Sequence, residues 1–183
     1  DTAPNFSAWQ TTPPRPAQTH PFPTDLPVPL REALFTRGID QLYSHQLSAW
    51  TQSRAQKNII LATGTASGKT LAYNLPVLAA MLQNPEARAL YLFPTKALAQ
   101  DQLSTLANLK PETLRQAQGS AWSLKPAIYD GDTPQSSRSS IRKNARLVLS
   151  NPDMLHTGIL PHHSNWSDFF GNLKFIVIDE AHT

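Results

Sequence analysis

Cysteine is absent from the 183 residues, which excludes disulfides and any thiolate-ligated zinc site within this sequence. No apolar run approaches the roughly 20 residues needed to cross a bilayer. The opening stretch DTAPNFSAWQTTPPRPAQ has neither the basic start nor the apolar centre of a secretory signal. Together these absences fit a cytoplasmic protein. The chain does not open on methionine, so an incomplete or processed N-terminus is expected. No internal repeat is visible, and no Ser–His–Asp, paired-carboxylate or zinc-hydrolase constellation appears. Acid and base are nearly matched, at 13 against 16 residues, leaving a net charge of +3. Such a surplus permits a nucleic-acid partner without requiring one.

Proline is plentiful and unevenly placed. Half of the sixteen prolines lie within the first thirty residues. Proline fixes φ and lacks an N–H, so residues 1–28 are predicted to be an extended or surface-wrapped arm. From residue 29 the pattern changes to alternating helices and strands. Helical spacing is expected over PLREALFTRG and QLYSHQLSAWTQSRAQ, then over 68–83 with a kink at Pro76, over 96–109 and over 133–145. A further helix is expected from Pro152, with proline in its first turn. Short apolar, β-branched runs predict strands at 58–62, 87–93, 126–130, 146–150 and 173–179. Continuous apolar strands between helices indicate an α/β protein with a doubly wound parallel sheet. Ligands of such sheets sit at the carboxyl ends of the strands.

Two loops fall at those ends. ATGTASGKT follows the strand at 58–62 and opens a helix, the context a phosphate loop requires. Thr63, Gly64, Thr65, Ala66, Ser67 and Gly68 would cradle phosphates with backbone N–H groups. The helix N-terminus adds partial positive charge. Lys69 would reach the β- and γ-phosphates, and Thr70 would ligate Mg²⁺. The usual first glycine is missing: Thr63 stands in its place and Gly64 is displaced by one. The second loop is DEAH, after the strand FIVI. From average composition this tetrapeptide arises by chance in roughly one such chain in a thousand. Asp179 suits Mg²⁺ from the side opposite Thr70. Glu180 suits a water-activating base. His182 has no ligand partner at metal spacing, so within the nucleotide site it is expected to make a hydrogen bond that couples the site to neighbouring elements.

The set TGTASGKT, FPTKALAQDQ, SNPDML and VIDEAH, in that order, resembles the DEAD/DEAH-box helicases of superfamily two. Upstream, LYSHQ is similar to their adenine-reading segment, with Gln46 as the reader. The run YDGDTP…R…IR…ARLVLSNPDMLHTGILPHH…W…FF…NLKFIVIDEAHT resembles one branch most. That branch comprises DNA-repair helicases of bacteria and fungi with a cysteine-rich, zinc-associated C-terminal region. The resemblance spans about residues 30–183. It implies a RecA-like first helicase domain, ATP and Mg²⁺ as ligands, and single-stranded nucleic acid as the track, DNA moved along 3′ to 5′. It also implies that the domain is cut after its acidic strand and that a second RecA-like domain is missing.

Several residue types suit a nucleic-acid backbone at these strand ends. Pro94, Thr95 and Lys96 present a hydroxyl, a cation and a helix start. Gly131 allows close backbone approach, and Thr133 is a donor. Ser150 and Asn151 precede the Pro152 helix start. Arg138, Arg142, Lys143 and Arg146 form a basic cluster, with Arg138 and Arg142 one turn apart. Each of these serves equally as a cap or a solvated face. His162, His163 and Trp166 are expected to pack or sit in loops, and Trp50 to lie in the core. Two other classes stay open: a nucleotide- or nucleic-acid-binding module without turnover, and a phosphate-loop protein unconnected with nucleic acid.

Overall fold

The computed structural model describes residues 16–64, 67–109 and 124–181. Its centre is a four-stranded sheet of order β4-β5-β3-β6, formed by β3 (Arg88–Leu92), β4 (Pro126–Ile128), β5 (Leu147–Ser150) and β6 (Leu173–Ile178). All three pairings are parallel, with Leu90 opposite Val148 and Ile176, and Ile128 opposite Leu149. β3 and β5 are buried throughout. Their apolar continuity follows from having helices over both faces.

One face carries α1 (Val28–Phe35), α2 (Ser44–Arg54), α3 (Lys69–Gln83) and α4 (Lys96–Asn108). Its core gathers Leu30, Leu75, Leu78 and Leu106 against Tyr91, Phe93, Leu147 and Leu149. The other face carries α5 (Gln135–Asn144), a short α6 (Pro152–Met154) and α7 (Ser167–Gly171). There Leu90, Leu92 and Val148 meet Met154, Trp166 and Phe169. The period-two alternation of β3 divides its side chains between these two cores.

The Pro-rich arm, where described, wraps the first face. Thr19–Pro21 forms β1, antiparallel to β2 (Gln41–Tyr43). Leu26 is buried, and Asp25 accepts from the Trp50 indole at 2.9 Å and pairs with Arg54. Residues 41–43, expected to be helical, are therefore strand, because the arm supplies their partner. α3 runs through Pro76 without ending there.

Two corrections concern the expected elements. Residues 58–62 are not a strand. Among the described residues no strand pairs with them, and Ile60 is 95% exposed. Among the described residues β6 is an edge strand and has the same problem on a smaller scale: Ile176 and Ile178 face outward at 59% and 60% exposure. Beyond Pro152 the chain is less regular than the simple helix expected. α6 passes into a π-helical stretch, Leu155–Ile159, and then a 3₁₀ stretch, Leu160–Trp166, before α7. Gly158, within the π-helical stretch, leaves room for the Met154 side chain, whose Cε a Cβ there would meet at 2.2 Å.

Candidate nucleotide and nucleic-acid site

The parallel sheet aligns four loops at one edge, after β3, β4, β5 and β6. The start of α3 reaches the same edge: Lys69 Nζ lies 3.9 Å from Glu180 Oε1. Lys69 also donates to the Thr63 carbonyl at 3.3 Å. Residues separated by more than a hundred positions are thus brought together, as the phosphate-loop and DEAH readings require.

Three local features build the loop. Gly68 caps α3 with φ of 81°, in the left-handed region that glycine occupies freely. A Cβ at this position would come within 2.6 Å of Gln46 Nε2, so any other residue would displace the Gln46 amide as well as strain φ. Gln46 itself is buried. Its amide donates to the Gly68 carbonyl at 3.0 Å, and its oxygen accepts from Tyr43 N–H at 2.9 Å. The expected adenine reader therefore also staples α2 to the phosphate loop. Thr63 and Ser67 share a hydroxyl hydrogen bond of 2.7 Å, and Gly64 is exposed with open space around it. Thr65, Ala66 and His182 lie outside the described residues.

The acidic loop is anchored by the Asp179 N–H donating to the Leu92 carbonyl at 3.0 Å. Glu180 follows with φ of 52°, uncommon for a residue other than glycine. Its N–H donates to Asp179 Oδ1 at 3.0 Å. That turn aims the Glu180 carboxylate at Lys69. The other oxygen, Asp179 Oδ2, accepts from the Tyr73 hydroxyl at 3.2 Å. Thr70 also lies beside the Tyr73 hydroxyl, so the phenol sits next to both expected Mg²⁺ ligands. Burial foremost, then the Asp179 charge, pushes the Tyr73 phenol far up from its ordinary value near 10. It stays protonated and remains a donor. Tyr73 escaped the sequence reading, although it lies one helical turn beyond Lys69 and Thr70 and so shares their face. A cavity of about 460 Å³ opens beside Tyr43, Gln46, Gly68 and Thr70, large enough for a small-molecule ligand.

At the neighbouring strand ends the expected nucleic-acid residues are placed as follows. Pro94 is half-buried. Thr95 caps α4, its hydroxyl accepting from Leu98 N–H at 3.3 Å. Lys96 pairs with Asp132, joining the loop after β3 to the turn after β4. Its exposed ammonium is held above the ordinary lysine range chiefly by that hydrogen bond. Gly131 is exposed, while Thr133 is engaged inside its own turn with Asp130. Arg138 clamps the same turn, donating to the Thr133 and Asp130 carbonyls at 3.1 and 3.2 Å. Asn151 caps α6 through Met154 N–H at 2.7 Å.

Two residues stand apart. Ser150 is 2% exposed, and its hydroxyl donates to the Tyr129 carbonyl at 2.6 Å, so it ties β5 to β4 rather than presenting a donor outward. Arg146 leaves the surface cluster altogether. It is buried, donating to the Met81 and Asn84 carbonyls at 2.7 Å each, and closes the end of α3. Trp50 and Trp166 are buried as expected, and His162 and His163 are exposed.

A parallel sheet with helices on both faces, a glycine-capped helix at a lysine-bearing loop, and an acidic strand end beside that lysine define a RecA-like P-loop NTPase domain. Comparison with known proteins narrows the class. The DEAD/DEAH box helicase family model matches residues 43–183. The chain belongs to that family. It is 49% identical over 179 residues to the uncharacterized ATP-dependent helicase YprA of Bacillus subtilis, covering 98% of this chain and 23% of the relative. It is 44% identical to the ATP-dependent helicase HRQ1 of Saccharomyces cerevisiae over 149 residues, 78% of this chain and 13% of that one. Among solved structures it resembles the DUF1998 helicase MrfA bound to DNA and AMPPNP, with a TM-score of 0.84 and 49% identity over 92% of this chain and 23% of that one. The chain thus spans less than a quarter of each of these relatives. Among the described residues no helix is long and apolar enough to cross a membrane.

Proposed function

We propose that this chain is part of the first motor domain of an ATP-dependent, repair-type DNA helicase. In this reading it binds Mg-ATP and single-stranded DNA, moves 3′ to 5′ within its parent, and does not unwind duplexes alone. The observation that carries the reading is the 3.9 Å approach of Lys69 to Glu180, beside the Tyr73–Asp179 hydrogen bond. The names of the relatives, ATP-dependent helicases, support ATP as the fuel. A relative crystallised with DNA supports DNA as the track.

Thr70 and Asp179 fit Mg²⁺, because one phenol bonds Asp179 and lies beside Thr70, and the ion needs only one or two protein oxygens. Bound there, the ion would neutralise charge between the β- and γ-phosphates. The chain's own residues divide the remaining work. Gln46 and the cavity beside Tyr43 receive the adenine. Thr63, Gly64, Thr65, Ala66, Ser67 and Gly68 wrap the phosphates, and His182 hydrogen-bonds nearby. An incoming triphosphate competes with Thr63 and Glu180 for Lys69. Once Lys69 turns to phosphate, the Glu180 carboxylate is released to orient and deprotonate the attacking water. Pro94, Thr95, Lys96, Gly131, Thr133, Arg138 and Asn151, with the backbone at Ser150, contact the strand. Turnover at full rate needs arginines from a second RecA-like domain, worth about 10³–10⁵ in such enzymes.

The test is ATP hydrolysis by this chain with and without single-stranded DNA, with Lys69→Ala as control, beside a strand-displacement assay. DNA-stimulated hydrolysis lost on Lys69→Ala supports the reading, and unwinding by the chain alone overturns its last part. A binding module without turnover is the second reading, favoured by the 58–62 segment that leads into the phosphate loop, with which no described strand pairs. Salt-sensitive DNA binding with no hydrolysis would select it.

A further inference from the structure

A second cavity lies on the opposite face of the sheet from the phosphate loop. It measures about 480 Å³ and is walled by Arg138, Arg142, Thr157, His162, Asn165 and Trp166 among others. Its floor is aromatic: Tyr129 and Trp166 are buried and meet edge-to-face at 4.8 Å between centroids. The Arg138 guanidinium stands 5.3 Å from the Tyr129 ring centroid, and Arg142 Nη1 donates to the Tyr129 hydroxyl at 3.4 Å. No carboxylate lines the cavity. Among the described residues neither arginine has an acidic partner within ion-pair distance. Two half-buried guanidinium groups side by side without a counter-charge repel each other and favour an anion between them.

We propose that this cavity receives one nucleotide of the bound strand, its phosphate on Arg138 and Arg142 and its base in the space above Trp166. The inference rests on the proposed binding of single-stranded nucleic acid and deepens it. The size fits: with about 30 Å³ for each water, the cavity exceeds what one phosphate fills and lies in the range of roughly 300–1,000 Å³ seen for small-molecule pockets. The chemistry fits as well. Gln135, Thr157 and Asn165 supply amide and hydroxyl groups for base edges, and guanidinium planes and aromatic edges suit a base. Connectivity adds a third reason. The turn after β4, holding Gly131 and Thr133, is clamped by Arg138 and leads directly into α5, one wall of the cavity. Asn151, after β5, caps the helix that brings Met154 into another wall. A strand crossing those two loops passes the cavity mouth.

The probes are a twelve-nucleotide oligothymidylate, an abasic strand of the same length, and free thymidine monophosphate, with affinities measured at one salt concentration. Arg142→Gln is the main variant. Lys143→Gln is its neighbour on the same helix, exposed and outside the cavity. Thr157→Trp fills the mouth without altering charge, and thermal melts verify folding of each. The expected result is about tenfold weaker oligothymidylate binding for Arg142→Gln and for Thr157→Trp, and less than twofold change for Lys143→Gln. The abasic strand should lose less than threefold on Thr157→Trp. Equal losses from Arg142→Gln and Lys143→Gln would mean general charge attraction and overturn the proposal. A variant-sensitive monophosphate with an insensitive strand would overturn the strand as occupant. If the wild-type chain binds no strand, the proposed function fails along with the cavity. If it binds strand and no cavity variant matters, only the cavity assignment fails.

Discussion

Tyr73→Phe removes a single oxygen from the middle of the candidate nucleotide site. That hydroxyl donates to Asp179 Oδ2 at 3.2 Å and lies beside Thr70. A hydrogen bond to a charged group contributes about 1.5–3 kcal/mol. The long distance and the half-exposed carboxylate place this one at the low end. About 1.4 kcal/mol is a factor of ten in an equilibrium constant, so Mg²⁺-dependent nucleotide binding should weaken about tenfold. The assay is titration of a fluorescent ATP analogue with and without Mg²⁺. The loss is expected only with the ion, because Tyr73 positions the ion's ligands and does not face the base. Equal affinities of wild type and Tyr73→Phe across a Mg²⁺ titration would refute the positioning role.

The same phenol gives an independent pH signature. Its folded pKa is raised above the ordinary value near 10, by burial first and the Asp179 charge second. The folded state therefore holds this proton more tightly than the unfolded chain does. Its contribution to stability is complete below pH 10 and is lost as pH rises above that value. Wild type should destabilise on raising the pH from 9 to 11, and Tyr73→Phe should lose measurably less over the same interval. Identical alkaline profiles by thermal melting would contradict the burial and pairing described for Tyr73.

Gly68→Ala should lower stability by about 1–2 kcal/mol, the cost of a left-handed residue with a Cβ, and the clash with Gln46 should weaken nucleotide binding as well, read by melting and titration together. Arg146→Met leaves the buried Met81 carbonyl without its side-chain donor, while the exposed Asn84 carbonyl keeps the Ala87 N–H; an unsatisfied buried group costs about 1–3 kcal/mol, so a loss of that size is expected in urea unfolding, with DNA affinity unchanged in the folded protein. Asp132→Ala frees Lys96 from its partner and should strengthen single-strand binding about two- to threefold at low salt, with the gain disappearing at high salt.

Much of the fold was legible because its signals are local. The apolar runs at β3 and β5 are buried on both sides and could hardly be anything else. α3, α4 and α5 carry helical spacing, and glycine or threonine marks where the first two begin. The phosphate loop and acidic tip were legible for a chemical reason: few residue types can cradle phosphate or hold a hard cation. What the sequence hid depends on partners distant along the chain. Ser150 and Arg146 read as surface donors from their neighbours alone, yet Tyr129, Met81 and Asn84 claim them. Tyr73 carries no sequence signal of its own, because only the fold brings Asp179 beside it.

The segment 58–62 shows the limit most sharply. NIILA has the composition of a buried strand, but a strand exists only where another backbone accepts and donates its hydrogen bonds. The outward-facing Ile176 and Ile178 of β6 and the exposed Ile59 and Ile60 are two apolar surfaces of the same character, neither covered by any described residue. Composition records what a segment is built to do, whereas geometry records what its neighbours allow. The phosphate loop inherits the consequence. Its C-terminal side is held by Gln46 and α3, while its N-terminal side follows a segment with no strand partner among the described residues. Nucleotide affinity should therefore depend more on Gln46 than is usual for a contact to the base alone. Gln46→Ala removes both the bond to Gly68 and the bond to Tyr43 N–H, and it should weaken triphosphate and adenine-free tripolyphosphate binding alike. Loss confined to the adenine-bearing ligand would show that the staple adds nothing to the loop.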